Sequence, residues 1–204
     1  QLAVLTVVEI KGDIDCESGS VEAPTGVLVH GEVKDTFHVR SSGDVAIKGV
    51  IGACEVTAGG NILVGGGITG QEQARLAAQG RVVARFCNGC SVRATGDLVI
   101  ATEAFGSRLY TQGRILMGRA SLIGGYTYAR CGGEVKILGS DAGIETTIAI
   151  GLDPEAVARC TQIDDEVVRR RKTATKIRQT VGPLLGQLKH LLPAQREKAT
   201  ELLY

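Results

Sequence analysis

The sequence predicts a mainly β protein: a parallel β-solenoid of about seven short coils, 16–20 residues each, followed by a long α-helix of coiled-coil type. Three observations carry this prediction. A unit Gly-polar-apolar-x-apolar recurs as GDVAI at Gly43, GNILV at Gly60, GRVVA at Gly80, GDLVI at Gly96, GRILM at Gly113 and GEVKI at Gly133, at intervals of 17, 20, 16, 17 and 20 residues. Glycine is abundant, with 28 residues in 204, while aromatic residues make up 3 % and Trp is absent. Thin repeated layers suit that composition better than a conventional core. At Asp153 the apolar period changes from two to a helical one.

In the solenoid, the columns around each glycine repeat as well. Four places before it stand Val39, Val56, Leu76, Val92, Leu109 and Ala129, and two places before it the small Ser41, Ala58, Ala78, Ala94, Thr111 and Cys131. Two and four places after it come pairs such as Val45/Ile47, Ile62/Val64 and Leu98/Ile100. An earlier coil fits with Thr25 in the glycine position, which aligns Val27 and Val29. Period-two alternation of this kind gives each coil two very short strands joined by two glycine corners, with the corner glycines expected at positive φ. Stacking coils about 4.8 Å apart turns each column into a ladder of like side chains. On the outside, Arg81, Asp97, Arg114 and Glu134 follow successive glycines and are expected to form weak surface ion pairs between neighbouring coils.

In the helical segment, Asp153, Pro154 and Glu155 read as N-cap, first helical residue and first-turn acid. Cys160, Ile163, Val167, Arg170, Ala174, Ile177, Val181, Leu184, Leu188 and Leu191 then alternate spacings of 3 and 4, a heptad seam. Gly182-Pro183 is expected to kink the helix, His190 to Pro193 to turn, and a second helix to begin near Pro193. The division is thus residues 1–152 as β-solenoid and 153–204 as a helical segment, expected to be cut from a longer hairpin.

The string GDVAIKGVIGACEVTAGGNILVGGGITG, the further glycine-led coils, and the join IGLDPE to a heptad helix resemble the flagellar assembly protein A family. The likeness runs from GDIDCESGSV at Gly12 through the helix. It implies a right-handed parallel β-solenoid followed by a long helical hairpin, a link to flagellar assembly and motility, and no enzymatic site.

Several stretches spell chemistry. Gly65 to Gly70 is a literal G-x-G-x-x-G, but a dinucleotide loop needs a following helix and an acid about 20 residues on; here the next acids are Glu72 and Asp97, and QEQARLAAQG keeps the solenoid register. Cys87 and Cys90 form a C-x-x-C without a second pair or a nearby His, so two small buried hydrophobes are expected rather than a zinc site. Cys54 shares the register of Cys90 two coils away. His30 and His38 are the candidates for a general base if the coil were that of a left-handed β-helix acyltransferase, but the aliphatic-led hexapeptides of that class occur only in pieces. The run Arg169 to Lys172 follows the acids Asp164 to Glu166 and reads as a solvated helix face, with Glu166 and Arg170 an i,i+4 pair.

The formal net charge of +1 gives no footprint for nucleic acid or membrane. No window is apolar enough to span a bilayer, QLAVLTVVEIKG lacks the basic start of a signal peptide, and six irregularly spaced Cys do not read as a disulfide framework, so a cytoplasmic setting is expected. The functional expectation is a non-enzymatic scaffold without catalytic residue, metal or cofactor. It engages a protein partner, or another copy, through helix-packing residues Ile163, Val167, Ile177, Val181, Leu184 and Leu188. The alternatives are the acyltransferase-like enzyme and a bactofilin-like polymer joined through open coil ends.

Overall fold

A computed structural model describes residues 7–151 and 154–188, with helix side chains over 156–176. Two compact units result, residues 1–153 and 154–204.

The first unit is a parallel β-solenoid of about eight turns. Among the described residues, thirteen strands form one continuous wound sheet. The early coils use short strands: β1 (Val7–Ile10), β2 (Val21–Ala23), β3 (Gly26–Val29), β4 (His38–Ser41), β5 (Val45–Ile47), β6 (Glu55–Ala58) and β7 (Ile62–Val64). From β8 (Ile68–Ala78) onward the strands run round corners: β9 (Val82–Ala94), β10 (Leu98–Thr111) and β11 (Ile115–Ala129). The last turn is β12 (Gly133–Leu138) and β13 (Thr146–Ile150).

Register confirms the columns. Val45, Ile62, Val82, Leu98 and Ile115 stack on one side, and Val39, Val56, Leu76, Val92 and Leu109 on another. All ten are buried. Thr25 takes the glycine position of the earlier coil, since Val27 and Val29 pair with Val45 and Ile47.

The coil has three sides, where the sequence led us to expect two. A third inward column runs Ile14, Val33, Ile51, Ile68, Cys87, Ala104 and Leu122, joined at first by single bridges and then by the wrapped strands. A side one residue wide has no alternation to read, and its distance from the corner glycine varies between 7 and 9 residues. The additional turn beyond the expected seven comes from pairing at both ends, β1 on β3 and β13 on β11.

The last coil corrects the alignment too. Leu109 pairs with Thr127 and Thr111 with Ala129, so Ala129 belongs to the small column and Thr127 to the large one. Cys131 falls out of the core and is exposed. The surplus residues sit in the turn at Arg130 to Gly132, where Gly132 has φ +84°.

Glycine at the corners answers to close approach, not to backbone handedness. None of Gly59, Gly60, Gly65, Gly66, Gly67 or Gly70 has positive φ. A Cβ on Gly66 would stand 2.5 Å from the Gly49 carbonyl oxygen of the coil below, and one on Gly70 2.5 Å from that of Gly89. The residues that do turn left-handed in this stretch are Gln71 and Glu72, φ +45° and +63°, inside the register shift between Thr69 and Ala74.

The second unit contains α1 (Pro154–Leu188), 35 residues and about 52 Å long at 1.5 Å per residue. It begins at the expected Pro154 and continues through Gly182-Pro183. The expected turn at His190 to Pro193 and the second helix lie outside the described residues.

Candidate functional site

Where the residue after a corner glycine is Asp or Asn, its side chain clamps the next coil. Asp44 Oδ1 accepts from the backbone N–H of Asn61 at 2.7 Å, Asn61 Oδ1 from that of Arg81 at 2.9 Å, and Asp97 Oδ1 from that of Arg114 at 2.8 Å. Asp13 and Asp35 do the same for Glu32 and Ala53 at another corner, at 2.8 and 2.6 Å. These side chains are therefore spent on backbone donors. None of the expected pairs among Arg81, Asp97, Arg114 and Glu134 is an ion pair of the described residues.

The cysteines lie in core columns. Cys87 fills the third-side column and Cys90 opens the next side across Gly89, φ +54°. Both are buried, and the adjacent Cys90 sulfur together with burial holds the Cys87 thiol well above the usual thiol range. Cys90 also meets Ser107 Oγ at 3.6 Å. Cys54 sits two coils away in the same column with Ala74 between, as its register predicted. Among the described residues no three His, Cys, Asp or Glu side chains are grouped to hold a metal.

The histidines belong to surface ladders. His30 Nε2 is 2.7 Å from Glu9 Oε1 and its Nδ1 3.0 Å from Lys48 Nζ, while His38 Nε2 is 3.5 Å from Glu22. Gly65 to Gly70 leads into strand β8, so the helix N-terminus that a phosphate loop requires is missing from this place in the chain.

The face carried by β6 and the later halves of β8 to β11 holds a groove of about 710 Å³. Its lining includes Arg75, Arg93, Arg108 and Tyr126, the small residues Ala77, Ser91 and Gly89, and the acids Glu55 and Glu72. Beside it Arg93 lies over the Tyr110 ring at 4.9 Å, and Tyr110 stacks on Tyr128 at 4.7 Å.

Every described helix side chain is exposed, the expected packing residues Ile163 and Val167 among them. Ile163 is 59 % exposed and Val167 40 %, with Cys160, Arg170 and Ala174 exposed beside them. Ile177, Val181, Leu184 and Leu188 continue that spacing along the α1 backbone; their side chains lie outside the described residues. Glu166 and Arg170 form the expected i,i+4 pair, Oε1 to Nη2 2.5 Å.

A family model described as the flagellar assembly protein A beta solenoid domain matches residues 6–203. The chain belongs to this family. No curated protein matches it, and no solved structure does. The flagellar assembly protein A match covers coils and helix alike, so the unit boundary at residue 153 falls inside one family domain. Its description ties the chain to flagellar assembly. No described helix of this flagellar assembly protein A domain is long and apolar enough to cross a membrane.

Proposed function

We propose that the chain is a non-enzymatic, cytoplasmic scaffold of flagellar assembly, in which a right-handed solenoid rod carries a helix that pairs with a helix of another protein or another copy. The observation that carries this reading is the uncovered seam at Ile163 and Val167, continued in sequence by Ile177, Val181, Leu184 and Leu188. An isolated helix with a heptad seam gains little stability until that seam is buried against a second helix. The returning arm of its own hairpin in a longer parent is the rival occupant of the same seam.

The chemistry on the solenoid supports a binding role over a catalytic one. Both ring nitrogens of His30 are engaged by Glu9 and Lys48 on the surface, and neither His30 nor His38 lines the groove. The reading calls for no cofactor and no metal.

Replacing Val167 and Ile177 with Asp tests the pairing. Circular dichroism should show a loss of helicity, and light scattering a lower mass in solution than for the unaltered chain. Unchanged helicity and mass would overturn the reading.

A further inference from the structure

We propose that the groove on the face of β6 and β8 to β11 binds an extended, carboxylate-bearing peptide segment of a protein partner, independently of the helix. The face has two outward columns. One runs His38, Glu55, Arg75, Ser91, Arg108, Tyr126, and the other Arg40, Thr57, Ala77, Arg93, Tyr110.

Charge is distributed unevenly along them. At the early end Arg40 is neutralised twice, by Glu22 at 3.4 Å and Glu55 at 3.6 Å, and His38 faces Glu22. From β8 onward Arg75, Arg93 and Arg108 are all exposed, and among the described residues no carboxylate lies within ion-pair distance of any of them. Between them the outward positions are small, Ala77 and Ser91, so the cations stand round a trough rather than on a flat sheet.

The dimensions fit a chain. Arg75 and Arg108 share a column two coils apart, about 10 Å along the axis, with Arg93 on the coil between them in the other column. An extended peptide bearing a carboxylate at every second residue repeats about every 6.7 Å, within the reach of arginine side chains, whose forked donors suit carboxylates. The groove runs along the stacked coils from Glu55 on β6 to Tyr126 on β11, a course that an extended segment can follow. Tyr126 is the one aromatic ring lining it, where a binder of single-stranded nucleic acid stacks successive bases on several.

A fluorescein-labelled peptide of about ten residues alternating Glu and Thr, whose carboxylates share one face when extended, is titrated with the full chain by fluorescence anisotropy. Saturable binding is expected, weakened roughly tenfold or more by Arg93→Glu with Arg108→Glu. The Val167 and Ile177 replacements should leave it unchanged, which separates this site from helix pairing. Arg93→Gln with Arg108→Gln, checked by thermal melting, gives the same loss if the charge-reversed variant fails to fold. Absence of saturable binding, equal affinity in the glutamine variant, or tighter binding of single-stranded oligothymidylate at the same arginines would overturn the proposal.

Discussion

The carboxylate of Asp97 accepts a 2.8 Å hydrogen bond from the backbone N–H of Arg114 one coil further along, and its Oδ1 stands 2.5 Å from where a Cβ on Gly113 would lie. The same arrangement joins Asn61 to Arg81 and Gly80. Corner glycine and clamp are thus one device: removing the Cβ lets the side chain of the coil below reach the next backbone donor.

Gly113→Ala should therefore destabilise the solenoid by about 2 kcal/mol, because the added methyl meets both Asp97 and, at 2.8 Å, the Gly96 carbonyl carbon. Gly118→Ala should cost less than about 0.5 kcal/mol, since its nearest neighbour is the end of the flexible Glu134 side chain at 2.8 Å. Urea denaturation of the two variants checks the contrast; equal losses would contradict it.

Two buried threonines should respond in opposite directions. Thr127 Oγ1 has no hydrogen-bond partner, in a column otherwise filled by Val, Leu and Ile. Thr127→Val should stabilise by about 1 kcal/mol as the desolvated hydroxyl is removed. Thr111 Oγ1 instead donates to the Gly96 carbonyl and accepts from the Gly113 N–H at 3.0 Å, so Thr111→Val should destabilise by about 1–2 kcal/mol. Thermal melting of both variants reads the signs.

The thiols should separate into two classes. Cys16, Cys131 and Cys160 are exposed and should react promptly with a thiol reagent, whereas Cys54, Cys87 and Cys90 should react only on unfolding. Burial, and secondarily the Asp35 carboxylate, push the Cys54 thiol up to about 12 from 9.0. The folded state therefore keeps a proton that the unfolded state loses, and this contribution, full below pH 9, fades as pH rises toward 12. Cys54→Ala should flatten that alkaline decline in stability, measured by denaturation at a series of pH values.

Much of this was legible because the chain repeats. Val39, Val56, Leu76 and Val92 reveal their shared side by recurring at a fixed distance from a corner glycine, and Asp153-Pro154 marks the helix start by chemistry local to one turn. The third side escaped notice because Ile14, Val33 and Ile51 stand as single inward residues without an alternating neighbour. The groove is illegible in the sequence for a different reason. Arg75, Arg93 and Arg108 are separated by 18 and 15 residues and look like unrelated surface charges until the coils stack.

The sequence alone determined that the chain winds into coils, where the glycine corner of most coils falls and where the helix begins, since these depend on short-range periodicity and on residues that suit a single backbone geometry. Tertiary structure decided why the corners are glycine, which partner Asp97 takes, and which arginines share a face. Those outcomes depend on atoms one coil away, whose register is set by inserted residues at Gln71–Glu72 and Arg130–Gly132 rather than by any local pattern.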